Sequence, residues 1–163
     1  MRPLDGIKVL DLSRVLAGPF AGRILHDLGA EVVKVEPPEG DVTRNWGKVR
    51  AGLAGYYTQQ NVGKQNVCID LSVKGGPDIV RQLAARADVL IENFRPGVMQ
   101  KYELGYEDLA QINPKLVMLS ISGFGQDGPE SERAAYAPIL LSLIHISEPT
   151  RQEAISYAVF CLK

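Results

Sequence analysis

The sequence predicts an α/β fold built on a Rossmann-like, mostly parallel sheet, and three observations predict it. Short apolar runs bounded by turn residues alternate with stretches of helical period from Ile7 to Ser122. The first such run, a helical stretch and the second run form a βαβ unit, which calls for a parallel pair. Apolar residues make up 45% of the chain and charged residues 23%, the balance of one soluble globular domain with a single core.

The elements follow in order. Ile7-Lys8-Val9-Leu10-Asp11-Leu12 reads as a buried strand, and its end carries a loop from Ser13 to Pro19. Phe20, Ile24, Leu25 and Leu28 then recur at helical spacing until Gly29 supplies a helix stop. Glu31-Val32-Val33-Lys34-Val35-Glu36 reads as the second strand. Pro37 to Lys64 is rich in Gly, Pro and polar residues without a clean period, so a long surface connection with at most a short helix is expected there. Asn66 to Leu71 resumes as a strand. A helix from about Gly76 to Arg86 should turn Ile79, Val80, Leu83 and Ala84 inward. Val89 to Phe94 is a further strand, short helices follow Arg95-Pro96-Gly97 and end near Asn113-Pro114, and Leu116 to Ser122 is the last strand. The chain has no repeat and no low-complexity segment.

The formal net charge of −1 supplies neither a basic field for nucleic acid nor an acidic tail, which leaves a small molecule as the expected ligand. Cys68 and Cys161 lack metal or redox spacing, so no metal and no disulfide framework are expected, and a reducing, cytoplasmic setting is. The N-terminus has no apolar signal core, and no apolar run approaches the roughly 18 residues of a membrane helix, so neither secretion nor membrane insertion is expected.

In open α/β sheets ligands bind outside the carboxyl ends of the strands. Here those ends are Ser13 to Gly18, Pro37 to Asp41, Leu71 to Lys74, Asn93 to Gly97 and Gly123 to Pro129. Neither the G-x-G-x-x-G fingerprint nor a phosphate loop ending in Gly-Lys-Ser/Thr follows the first strand, which removes support for ordinary NAD or ATP binding.

Several segments share one order and spacing with a known family. They include Pro3 to Leu12, Ala17-Gly18-Pro19, Asp27 to Glu36 with Gly40-Asp41, and Ile69-Asp70-Leu71. Further on come Ala87 to Gly97, Leu104-Gly105-Tyr106-Glu107, Asn113-Pro114, and Ser120 to Pro129 with its Gly-Phe-Gly-Gln-Asp-Gly-Pro element. Together they resemble the family III CoA-transferases, the group of formyl-CoA transferase, carnitine CoA-transferase and alpha-methylacyl-CoA racemase, over Met1 to about Leu140. The resemblance implies a CoA-binding large domain in homodimers whose subunits interlock like links of a chain. It also implies acyl-CoA and a carboxylic acid acceptor as substrates. An aspartate attacks the acyl thioester, and mixed anhydride and aspartyl-CoA intermediates precede release to the acceptor. The racemase branch instead exchanges the proton alpha to the thioester.

By the same resemblance the CoA contacts fall on Leu16 and Ala17, on Ile69, Asp70, Leu71 and Ser72, on Asn93, Phe94 and Arg95, and on Lys101 and Arg133. Two positions depart from formyl-CoA transferase: Pro37 stands in place of an arginine and Ser72 in place of a lysine. The plainer readings are that Arg95 and Lys101 are solvated charges, that Asp11 is a turn-former, and that Cys68 is a small core residue. His26 has no catalytic partner in the sequence, and Gly123 to Pro129 reads either as a turn or as a close backbone approach to a thioester.

The family's nucleophilic aspartate lies some tens of residues beyond the Gly-Phe-Gly-Gln-Asp-Gly-Pro element, so no catalytic residue is expected in this chain and the sheet is expected to be truncated. From Leu141 to Arg151 the text matches, codon by codon, the translation of a transposase-type sequencing adapter. A short index and the flow-cell end of that adapter account for Gln152 to Leu162. Residues 141–163 are therefore expected to be a non-native tail in which His145 and Cys161 carry no chemistry, after a 1–140 domain. The alternatives are a racemase fragment of the same family and a free-standing nucleotide-binding module.

Overall fold

The computed structural model describes residues 2–133, and the expectations for the tail lie outside them. The chain divides after Ile121. In the first unit, β1 (Lys8–Asp11), α1 (Ala17–Asp27) and β2 (Glu31–Glu36) form the expected βαβ unit. A 3-10 turn (Val42–Asn45), a hairpin of β3 (Val49–Arg50) and β4 (Leu53–Ala54), and α2 (Gly55–Asn61) follow. Then come β5 (Gln65–Cys68), α3 (Gly76–Ala84), β6 (Val89–Glu92), α4 (Val98–Lys101), α5 (Tyr106–Ile112) and β7 (Val117–Ser120). The five long strands are all parallel in the order β5-β2-β1-β6-β7. The chain thus runs outward from β1 in one direction and then in the other, which is the Rossmann-like arrangement and puts its switch point between β1 and β6.

The sheet has two unlike faces. On one, Leu10, Leu12, Val35, Val80, Leu90, Leu104, Leu109 and Leu116 form a continuous apolar core under α3, α4 and α5. On the other, Val9, Val32 and Ile91 pack beneath Ala21 and Leu25 of α1. Because side chains alternate along a strand, Asp11, Lys34 and Glu36 share that second face with Val9 and Val32, so its carboxyl half is polar.

Several expectations change. The segment from Pro37 to Lys64 is not an irregular connection: it holds the 3-10 turn, the hairpin and α2, elements too short to leave a period in the sequence. Phe20, Ile24 and Leu28 are exposed on α1, and Ile79 is exposed on α3. On α1 the small residues Gly18, Pro19 and Gly22 take the buried positions beside the partly buried Leu25, whereas on α3 Val80 and Ala84 are buried and Leu83 packs against the core as expected, so Ile79 alone departs there. Cys68 is exposed on the edge strand β5, and not a core residue. The His26 ring packs against Gly63, where φ is +82° and any Cβ would collide with it. Among the described residues no helix is long and apolar enough to cross a membrane.

The second unit is described from Ser122 to Arg133. There the Ser122 hydroxyl donates to Gly125 O (2.7 Å), and Arg133 pairs with Glu130 (3.0 Å) and stands 6.0 Å over the Phe124 ring.

Candidate functional site

A cleft of about 360 Å³ opens at the carboxyl ends of β1, β2, β5 and β6, on the face covered by the larger core. Leu12, Val35 and Ile69 form its apolar floor, Pro37 and Glu39 come from the loop after β2, and Asp70, Leu71 and Ser72 from the loop after β5. Phe94, Val98 and Tyr102 close the far side. Its cation is Arg14, whose guanidinium lies 5.5 Å from the Phe94 ring centre, within cation–π range. Asp70 accepts from both the backbone N–H and the hydroxyl of Ser72 (2.8 and 2.6 Å), which fixes the turn after β5 and draws the Asp70 carboxyl below its ordinary range.

The loops around the cleft are tied down from behind by a buried charge network. Lys64 Nζ donates to Asp11 Oδ2 (2.8 Å), Pro19 O (2.7 Å) and Asn61 Oδ1 (3.0 Å). Lys34 Nζ donates to Ser13 O (2.6 Å) and stands 3.4 Å from Asp41. Asp41 Oδ2 accepts the backbone N–H of Val15 (3.1 Å), which holds this β-branched residue at φ +70°, a strained conformation for it. Glu36 accepts Arg44 Nε (2.6 Å), Tyr57 OH (2.5 Å), Asn66 Nδ2 (2.5 Å) and the N–H of Asp41 (2.9 Å). Asp11, Glu36 and Asp41 balance Lys34, Lys64 and Arg44, so the buried cluster carries no net charge. Removing one member of such a cluster leaves an uncompensated buried charge and is strongly destabilising.

Burial alone would push the Glu36 carboxyl up; hydrogen bonds from Arg44, Tyr57 and the Asp41 N–H, together with the Arg44 charge, win and hold it at about 2. The Tyr57 hydroxyl is pushed up by burial and by the Glu36 carboxylate that it donates to. Burial lowers the Lys64 ammonium against the opposing pull of Asp11. Glu92 is raised by burial, which the Ser120 hydroxyl and the Phe94 N–H offset only in part.

At the switch point Asn93 joins the loops after β1 and β6: its Oδ1 accepts Arg14 N–H (2.8 Å) and its Nδ2 donates to Arg14 O (2.7 Å). Gly18 lets the start of α1 lie against the loop after β1, since a Cβ there would lie 2.1 Å from Ser13 Cβ. Of the residues expected as CoA contacts, Ile69, Asp70, Leu71, Ser72 and Phe94 line the cleft together. Leu16 and Ala17 are exposed at the start of α1, and they, Asn93 and the exposed Arg95 stand outside its lining. Lys101 lines a neighbouring open hollow with Lys74 and Arg81, which shares Leu71, Ser72 and Tyr102 with the cleft. Arg133 belongs to the second unit.

Sequence reasoning missed Arg14, Lys74 and the whole charge network. Arg14 left only its place in the loop after the first strand as a signal. The network left a clearer one: Lys34 and Glu36 alternate with Val33 and Val35 in a strand that reads as buried, which puts two opposite charges on one face.

A family model described as CoA-transferase family III matches residues 4–148. The chain is 44% identical over 160 residues to human succinyl-CoA:glutarate CoA-transferase, a match covering 95% of this chain and 36% of that protein. It is 42% identical over 168 residues to acetyl-CoA:oxalate CoA-transferase of Acetobacter aceti, covering 98% of this chain and 43% of that one. Among solved structures, a CAIB/BAIF family protein from Brucella suis superposes with a TM-score of 0.82 at 48% identity, covering 87% of this chain and 39% of that chain. Rv3272 from M. tuberculosis does so at 0.84 and 39% identity, covering 91% and 42%. The chain thus spans well under half the length of these relatives. With the parallel sheet, the switch-point cleft and the matched model all in agreement, the chain belongs to CoA-transferase family III.

Proposed function

We propose that this chain is the CoA-binding part of an acyl-CoA:carboxylate CoA-transferase, with acyl-CoA and an acceptor acid as the whole enzyme's substrates. The relatives reported above are named as transferases, which favours that branch over the racemases. The observation that carries the reading is the cleft, where Ile69 to Ser72 and Phe94 meet Arg14 across an apolar floor. An apolar floor with an aromatic wall suits a purine base, and a guanidinium suits a phosphate oxygen. Arg14 and Lys74 supply the charge that Pro37 and Ser72 do not. Leu16, Ala17, Asn93, Arg95, Lys101 and Arg133 complete the proposed contact set by family likeness, with Asn93 acting through Arg14. The nucleophilic aspartate and the interlocked partner subunit belong to the whole enzyme, residues 141–163 contribute nothing to function, and the setting is cytoplasmic.

Titration of the chain with CoA tests the reading. Arg14→Ala should weaken binding about tenfold, the worth of one charge-assisted phosphate contact, and added salt should weaken the parent chain more than the variant. Binding that ignores both the substitution and salt places CoA elsewhere and refutes the assignment.

A further inference from the structure

From Val42 to Ile69 the sequence contains no acidic residue but four cations, Arg44, Lys48, Arg50 and Lys64. Two of them are committed, Arg44 to Glu36 and Lys64 to Asp11. Lys48 and Arg50 are exposed and form no salt bridge among the described residues. The hairpin that carries them is defined: Arg50 pairs with Leu53 and Val49 with Ala54, and Gly55 N–H donates to Lys48 O (3.2 Å). Ala51 and Gly52 form its two-residue turn at φ +50° and +78°, the primed type that matches strand twist. Extended backbone sends alternate side chains to opposite faces, so Lys48 and Arg50 share one face with Cα atoms about 7 Å apart.

Both cations wall an open groove of about 570 Å³ completed by Leu53, Gly55, Thr58 and Gln59. The Thr58 hydroxyl donates back to Ala54 O (3.0 Å), so the rest of the wall offers a surface for a carbon chain and no array of donors for a polyphosphate. Two like charges at this separation repel, and an anion between them removes the repulsion. In a transfer of CoA between acids the reacting carboxyl must be left free, so a pair of cations carried on a defined hairpin away from the nucleotide cleft suits a second carboxyl on the same molecule.

We propose that Lys48 and Arg50 hold the non-reacting carboxylate of a dicarboxylic acid, which makes the hairpin a determinant of selectivity for dicarboxylic over monocarboxylic acyl groups. The proposal rests on the CoA-transfer reading above. Trp46 is the only tryptophan of the chain, lies two residues before Lys48 and packs against Tyr56 with ring centres 5.6 Å apart and planes tilted by 54°, so its fluorescence reports on this hairpin.

The experiment titrates the chain with glutarate, with valerate and with adenosine 3′,5′-bisphosphate, following Trp46 fluorescence and backbone amide NMR signals. Glutarate should shift Trp46 and the amides of residues 48–58 at concentrations about tenfold below valerate, the worth of one further carboxylate on two cations. The double variant Lys48→Gln with Arg50→Gln should lose that preference, Lys48→Arg should retain it, and the bisphosphate should shift Ile69 to Ser72 and Phe94 equally in all of them. Because both side chains are exposed and unpaired, amide spectra of the free variants should superpose outside the hairpin. Equal responses to glutarate and valerate, or a preference that survives the double variant, overturn the proposal. So does loss of bisphosphate binding in that variant, which would assign the cations to the nucleotide. If the bisphosphate binds and glutarate does not, the hairpin assignment alone falls; if only glutarate binds, the CoA reading falls; if neither binds, both do.

Discussion

Replacing Glu36 with glutamine removes the one charge on which Arg44, Tyr57, Asn66 and the Asp41 N–H converge, and the consequence for stability has a definite pH signature. In the folded chain the Glu36 carboxyl is held at about 2, against 4.5 in the absence of these partners. The unfolded chain therefore binds this proton first as the medium is acidified, and folding is favoured wherever the carboxylate is ionised. A gap of about 2.5 pH units, at about 1.4 kcal/mol per unit, makes the contribution about 3 kcal/mol. It is fully present above pH 4.5 and is lost as pH falls toward 2. Glutamine keeps the shape and one acceptor but has no charge for Arg44, whose guanidinium is partly exposed and can turn to water. Urea unfolding of parent and Glu36→Gln should differ by about 3 kcal/mol at pH 7, and the difference should shrink to under about 1 kcal/mol near pH 2.5. A difference that stays constant from pH 7 to pH 3 would show that packing and not ionisation is responsible, and would refute the reasoning.

Asn93→Ala should cost about 2 kcal/mol in the same unfolding assay, because it leaves both backbone groups of Arg14 without their partner. It should also weaken CoA through displaced Arg14, so that combining it with Arg14→Ala adds little further loss of binding; additive losses would give Asn93 a direct contact instead. Glu92→Gln should raise stability at pH 7, since burial disfavours the carboxylate there and its hydrogen bonds only partly offset this. The gain should disappear on acidification, as the parent's own Glu92 takes up a proton; a loss at pH 7 would mean that an unrecognised cation faces it.

The sequence by itself determined the fold class and the strand ends at which the cleft opens. Each apolar run was long enough to name a strand, and glycine and proline at fixed places named the turns. Ile69 to Ser72 and Phe94 could be singled out by family likeness because they follow those strands directly, so their neighbourhood depends on topology and not on side-chain detail. The helical period of Phe20, Ile24 and Leu28 marked α1 but not its orientation, because small residues occupy the buried side and leave the large ones outward. Arg14, Asn93 and the six-charge cluster were decided only by tertiary structure. Asn93 and Arg14 are separated by 79 positions and meet only after β1 and β6 pair. Lys64 reaches Asp11 across 53 positions once α2 packs beside α1. The energy of a buried charge depends on partners that only the closed sheet supplies, so the alternation in β2 could place Lys34 and Glu36 on one face but could not name the groups that pair with them.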